Sequence, residues 1–83
     1  MKKKKILIVD DEHLIRWSFS KKLESWGYLP ETASNGKEAM ALINNFNPDL
    51  VLLDLNLPDI NGIQLLKEIK SLNASIPVII ITA

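Results

Sequence analysis

Three acidic residues and one hydroxyl stand directly behind apolar runs in this sequence. Asp10 and Asp11 follow Ile6-Leu7-Ile8-Val9, Asp54 follows Leu50-Val51-Leu52-Leu53, and Thr82 follows Val78-Ile79-Ile80-Ile81. If these runs are parallel strands of one sheet, their carboxyl ends share an edge, where open α/β sheets bind ligands. The four polar residues would then converge despite their separation in sequence. Three carboxylates gathered so closely repel one another unless a cation neutralises them. Mg²⁺ suits such a site, because it is a hard ion, takes oxygen ligands and keeps waters that a phosphate can displace. A carboxylate beside that ion can act as a nucleophile toward phosphorus. The ion offsets charge on the transferring oxygens, and a hydroxyl such as that of Thr82 can donate a hydrogen bond to one of them.

Each residue also has a plainer reading. Asp11 could be only the N-cap of a following helix, and Asp10 could simply end a strand. Asp54, with Pro58, Asp59 and Gly62 behind it, could open a loop, and threonine is common in strands. The joint spacing favours the site over these separate explanations. His13 and Trp17 lie off the apolar stripe of the segment that carries them and read as exposed side chains without a role.

The elements that must position the acids are legible from periodicity. The runs Ile6–Val9, Leu50–Leu53 and Val78–Ile81 are apolar almost throughout, as strands buried on both faces are. Tyr28–Ala33 is a weaker strand, and its Pro30 points to a sheet edge. From Glu12 to Trp26 the apolar Ile15, Phe19, Leu23 and Trp26 share one helical face, and Gly27 stands where a C-terminal glycine belongs. A second helix opens at Asn35, with Glu38 in the capping-box position, and should bury Ala39, Leu42, Ile43 and Phe46. A third opens at Asn61, with Gln64 in the reciprocal position, and should bury Ile63, Leu66, Ile69 and Leu72. The order is β-α-β-α-β-α-β, which predicts a parallel sheet with helices on both faces.

Composition narrows the function. The chain has 83 residues, enough for one domain spanning 1–83, and 47% of them are apolar, too many for a disordered tail. Ten basic and ten acidic residues cancel, so no global field favours nucleic acid or a membrane surface. There is no cysteine, which excludes disulfides and thiolate chemistry. Met1-Lys2-Lys3-Lys4-Lys5 and the apolar run behind it look like the start of an export signal, but the run is too short and ends in Asp10-Asp11-Glu12. A soluble, cytoplasmic protein is expected, with the lysines as a solvated lead-in that keeps the first strand from aggregating.

Taken together, the residues resemble the receiver domains of two-component response regulators. The resemblance rests on Ile6-Leu-Ile-Val-Asp10-Asp11-Glu12, on Asn35-Gly36-Lys37-Glu38-Ala39, on Pro48-Asp49 through Asp54-Leu-Asn-Leu-Pro58-Asp-Ile-Asn-Gly62, and on Ile76-Pro77 through Thr82-Ala83. The wording around Leu57-Pro58-Asp59 is similar to receivers of nitrogen-regulator-type transcription activators. The resemblance implies a flavodoxin-like α/β fold and a histidine kinase that passes a phosphoryl group to Asp54. It implies a phosphoacceptor that assists its own modification rather than an independent enzyme. Asp11 and Asp54 would ligate Mg²⁺ directly, Asp10 largely through a water, and the backbone carbonyl of Asn56 would add a ligand. The Asn56 amide side chain would tune the lifetime of the phosphorylated state, Thr82 would bond the phosphoryl oxygen and start the switch, and Ala83 would leave access open.

The family runs longer than this sequence, with a fifth strand and two further helices. The expectation is therefore an incomplete fold of strand order 2-1-3-4. No residue here takes the place of the family lysine that pairs with the phosphoryl group, so slow phosphorylation and impaired switching are expected. The fourth strand would be an open apolar edge, which predicts a homodimer or higher oligomer. Two readings compete, a competent phosphoacceptor and a non-signalling scaffold that self-associates. A free-standing hydrolase is the weakest reading, because the chain lacks residues to build a pocket for a foreign substrate.

Overall fold

In a computed structural model that describes residues 2–81, the seven elements expected from periodicity are all present. They are β1 (Lys5–Val9), α1 (His13–Ser25), β2 (Leu29–Ala33), α2 (Gly36–Phe46), β3 (Leu50–Leu53), α3 (Gly62–Leu72) and β4 (Val78–Ile80). The strands form one sheet of order β2-β1-β3-β4, and every pairing is parallel. Pro30 falls in β2, an edge strand, where a missing N–H is tolerated.

Each central strand feeds two cores, because successive side chains point to opposite faces. Leu7, Val9, Val51 and Leu53 face α2 and α3 and pack with Ala39, Ile43, Leu65 and Ile69. Ile6, Ile8 and Leu52 face the other way and pack with Leu23 of α1, with Phe19 and Ile81 at the margin. The α1 side is the thinner core.

Helix ends are set by side chains. The Asn35 side chain accepts from the Glu38 N–H at 2.8 Å, and the Asn61 side chain accepts from the Ile63 N–H at 2.8 Å. Glu38 reaches back one residue further than a capping box requires, accepting from the N–H and hydroxyl of Ser34 rather than from Asn35. Helix α1 ends in a Schellman turn. Gly27, at φ +90°, donates to the Glu24 carbonyl, and the Tyr28 N–H donates to that of Leu23.

Two helical faces differ from the expectation. Trp26 is 66% exposed, because it is the residue at which the chain leaves α1, and its ring lies beneath the Lys22 ammonium instead of on the sheet. In α3 the buried positions are Gly62, Leu65 and Ile69, while Ile63 and Leu72 are exposed. Gly62 sets that phase, since its N–H donates to the Leu55 carbonyl at 3.0 Å. With Gly62 turned inward, Ile63 lies about 100° round the helix, off the packed face.

Candidate functional site

Residue register brings the acids together. Val9 pairs with Leu53 across β1 and β3, so the next residues, Asp10 and Asp54, leave the sheet side by side. The Asp54 N–H donates to the Val9 carbonyl at 2.8 Å, and the Asp10 N–H donates to that of Ala33 at 3.1 Å. Asp11 follows on the turn into α1. One carboxylate oxygen each from Asp10, Asp11 and Asp54 lies within 4.8 Å of the others.

Two of the three are buried, Asp10 at 4% exposure and Asp54 at 8%, while Asp11 is exposed. Each buried acid closes a short turn. Oδ1 of Asp10 accepts from the Glu12 N–H at 2.9 Å, and Oδ1 of Asp54 accepts from the Asn56 N–H at 3.1 Å. Among the described residues, the second oxygen of each has no protein donor. Among those residues no buried side-chain oxygen lacks a partner, so these free oxygens face accessible space. The N-cap of α1 is Glu12, with no side-chain cap, so capping does not explain Asp11.

Burial pushes the Asp10 carboxyl above its ordinary range, and the neighbouring charges of Asp54 and Asp11 push the same way. The Glu12 N–H and the Arg16 guanidinium pull it back only in part. Arg16 donates to the Asp10 backbone carbonyl at 2.8 Å, which holds the strand end in place without neutralising the cluster through a direct bond to a carboxylate. A cation would relieve this repulsion. Oxygens on one Mg²⁺ are about 2.9 Å apart when adjacent and about 4.2 Å when opposite, from bond lengths of about 2.0–2.1 Å. The three oxygens, all within 4.8 Å of one another, are gathered on the scale of one such coordination shell. The donor set, all carboxylate, fits a hard ion.

The loop behind Asp54 is braced at both ends. Gly62 takes the Leu55 carbonyl, Asn56 and Asn61 form an antiparallel bridge, and a Cβ on Gly62 would stand 2.7 Å from the Leu55 oxygen. Of the residues singled out in the sequence, the structure gathers Asp10, Asp11 and Asp54, and Asn56 stands next to them through its bond to Asp54. Thr82 lies outside the described residues. His13 and Trp17 are exposed on α1.

The profile of the response regulator receiver domain matches residues 6–83. The chain belongs to that family. Receiver domains are phosphoacceptors, not free-standing enzymes, and they work with histidine kinases. Sporulation initiation phosphotransferase F of Bacillus subtilis (strain 168) is 42% identical over 83 residues, all of this chain and 67% of its own length. Regulatory protein AtoC of Escherichia coli (strain K12) and DNA-binding transcriptional regulator NtrC of Salmonella typhimurium match at 40% and 38% identity, each over 17% of its own length. A receiver domain from Methanospirillum hungatei JF-1 superposes with a TM-score of 0.95 at 38% identity, covering 98% of this chain and 65% of that one. The response regulator TrrA from Thermotoga maritima, solved in complex with Mg²⁺-BeF, superposes at 0.91 with 40% identity, over 96% of this chain and 70% of that one.

Among the described residues, no helix is long and apolar enough to cross a membrane.

One functional feature was missed in the sequence. Asp59, read there as part of a loop signature, accepts from the Gly36 N–H at 2.8 Å and the Lys37 N–H at 3.1 Å. Those bonds hold its carboxyl below the usual carboxylate range. Its partners lie 23 and 22 residues away, beyond the reach of any local capping pattern.

Proposed function

We propose that this chain accepts a phosphoryl group on Asp54 from the phosphorylated histidine of a kinase, in a Mg²⁺-dependent reaction in the cytoplasm. The observation that carries the proposal is the meeting of Asp10, Asp11 and Asp54 at the carboxyl ends of β1 and β3. In the transfer, a carboxylate oxygen of Asp54 forms the P–O bond as the donor's P–N bond breaks. The electron pair leaves on the imidazole nitrogen, which takes a proton from solvent. Asp11 and Asp54 would hold the ion directly, Asp10 through a water, and the Asn56 carbonyl would complete the protein's share of ligands. When bound, Mg²⁺ supplies positive charge to the transferring oxygens. Thr82 would donate its hydroxyl to one of those oxygens.

The resemblance assigns no lysine of this chain to the phosphoryl cradle. Loss of one preorganised contact of that kind lowers a rate by roughly 10²–10³. We therefore expect slow modification and weak switching of this chain by itself, and an output in transcription regulation. The test is labelling by a small phosphoramidate donor with and without Mg²⁺, read by intact mass. A gain of one phosphoryl group that needs Mg²⁺ and disappears in Asp54→Asn supports the reading. Labelling that survives that substitution refutes it.

A second reading, self-association, has its own observation. Among the described residues strand β4 pairs only with β3, and its Ile79 and Ile80 are 50% and 39% exposed. An apolar edge without charge or proline is a template for another strand, and a two-fold homodimer is the simplest closed solution. Light scattering after size exclusion at tens of micromolar checks it, and a stable monomer there excludes it.

A further inference from the structure

We propose that Asp59 is a positioning residue, whose carboxylate latches the phosphoacceptor loop to the start of α2 and couples occupancy of the site to that helix. This inference rests on the phosphoacceptor reading for the meaning of occupancy, but not for the latch itself. The first amides of a helix have no partner within it and must find one elsewhere. In α2 those of Gly36 and Lys37 are taken by Asp59, and that of Glu38 by Asn35. Only one of the two capping side chains is local. The other arrives from the loop between β3 and α3, so the start of α2 is fully satisfied only when that loop is docked.

The contact is built for close approach. Gly36 is buried, and a Cβ there would overlap the Ile60 side chain and stand 3.4 Å from Oδ1 of Asp59. The absence of that atom lets residues 59 and 60 sit against the helix terminus. A carboxylate there also meets the positive end of the helix dipole.

The same loop is tied to Asp54 at its other end. The Asn56 N–H donates to the Asp54 carboxylate, Asn56 bridges to Asn61, and Gly62 donates to the Leu55 carbonyl. Between these two anchors run only Leu57 and Pro58, with proline fixing its own φ. A change in the bonds made by the Asp54 carboxylate must therefore move either the Asn56 turn or the Asp59 tip. Helix α2 is not a passive end point, since its Ala39 and Ile43 lie in the larger core. Released from Asp59, its first two amides would turn to water.

The test compares the wild type with Asp59→Ala and Asp59→Asn by amide hydrogen exchange and by Mg²⁺ titration followed through amide chemical shifts. Without metal, Asp59→Ala should speed exchange at Asn56 and Gly62 by at least about fivefold, the low end of site-to-site couplings. The amides of Gly27 and Tyr28, in the Schellman turn of α1, should stay as they are. Asp59→Asn, which keeps an acceptor oxygen, should recover part of the protection. In the wild type, Mg²⁺ should shift the amides of Gly36 and Lys37 together with those of Asp10, Asp11 and Asn56, and Asp59→Ala should uncouple the two sets. Unchanged exchange at Asn56 and Gly62 in Asp59→Ala overturns the proposal, as does a wild-type titration that moves the site amides and leaves Gly36 and Lys37 unmoved. If Mg²⁺ moves none of the site amides, the phosphoacceptor reading fails and the metal-free exchange alone decides the latch. Should Asp59→Ala not fold, Asp59→Asn and the wild-type titration decide between latch and no latch.

Discussion

Replacing Asp10 with asparagine should make the metal-free chain more stable, although it removes a residue of the site. Asp10 is buried beside two other carboxylates, with one oxygen of each within 4.8 Å. At that separation two unit charges repel by about 0.9 kcal/mol in water and by about 3.5 kcal/mol at an effective dielectric constant of about 20. The exposed Asp11 belongs near the first limit and the buried Asp54 nearer the second, so the gross relief is about 4 kcal/mol. Against it stand the lost attraction to Arg16 and the weaker bond from the Glu12 N–H, which an asparagine oxygen still accepts. The net gain expected is about 2 kcal/mol, or roughly 8–16 °C in Tm for a domain of this size.

Metal should offset most of the advantage. Mg²⁺ at about ten times its Kd adds about 1.4 kcal/mol to a chain that binds it, and Asp10→Asn should gain little. The sign with pH follows from the raised carboxyl of Asp10. Between its unfolded and folded values the native state holds more proton than the unfolded one, so metal-free stability falls as pH rises through that window. The variant lacks that fall. Urea unfolding of both chains in chelator and in Mg²⁺, across this pH range, measures every term. A variant less stable than wild type in chelator, or one with an undiminished gain from Mg²⁺, would refute the electrostatic account.

Gly62→Ala should cost about 1–3 kcal/mol, because its new methyl meets the Leu55 backbone and not a movable side chain; a urea titration reads it. Leu65→Ala should cost about 2–5 kcal/mol in the same assay, since Leu65 is fully buried between α3 and the sheet. Acid should loosen the start of α2. Asp59 and Glu38 both have lowered carboxyl groups, so their contribution is present above the ordinary carboxylate range and is lost as pH falls through their folded values. The amide shifts of Ser34, Gly36 and Lys37 should titrate together there. Ile79→Lys should shift any self-association measured by light scattering toward monomer, because it places a charge on the open edge strand.

Much of this architecture was readable because the strands carry no polar alternation. Unbroken apolar runs at Ile6–Val9 and Leu50–Leu53 require cover on both faces, and the three intervening helices supply it. Helix termini were readable where the cap is local, as at Asn35, Asn61 and Gly27. The errors arise where tertiary contact overrides a local pattern. Trp26 continues the apolar stripe of α1 on paper, but the chain has already turned there. Ile63 and Leu72 look like core, but Gly62 sets the rotation of α3 through its contact with Leu55. Asp59 was opaque for a related reason: the amides it holds belong to a helix more than twenty residues earlier.

The acids themselves solve a problem that the apolar runs leave open. A strand with one polar face cannot slip by one residue without exposing its core side, whereas one buried on both faces can. β1 and β3 are of the second kind, with Leu7 and Val9 on one face, Ile6 and Ile8 on the other, and apolar residues of β3 paired with all four. Their hydrophobic pattern alone therefore specifies the register weakly. Asp10 and Asp54 supply the missing stop. A slip of one residue would draw one of these carboxylates into the sheet, and an ion moved there costs several kcal/mol even after relaxation. The pairing that keeps both acids at the edge is the pairing that aligns Val9 with Leu53. The same charges that crowd the site and call for a cation also hold the two strands in the register that creates it.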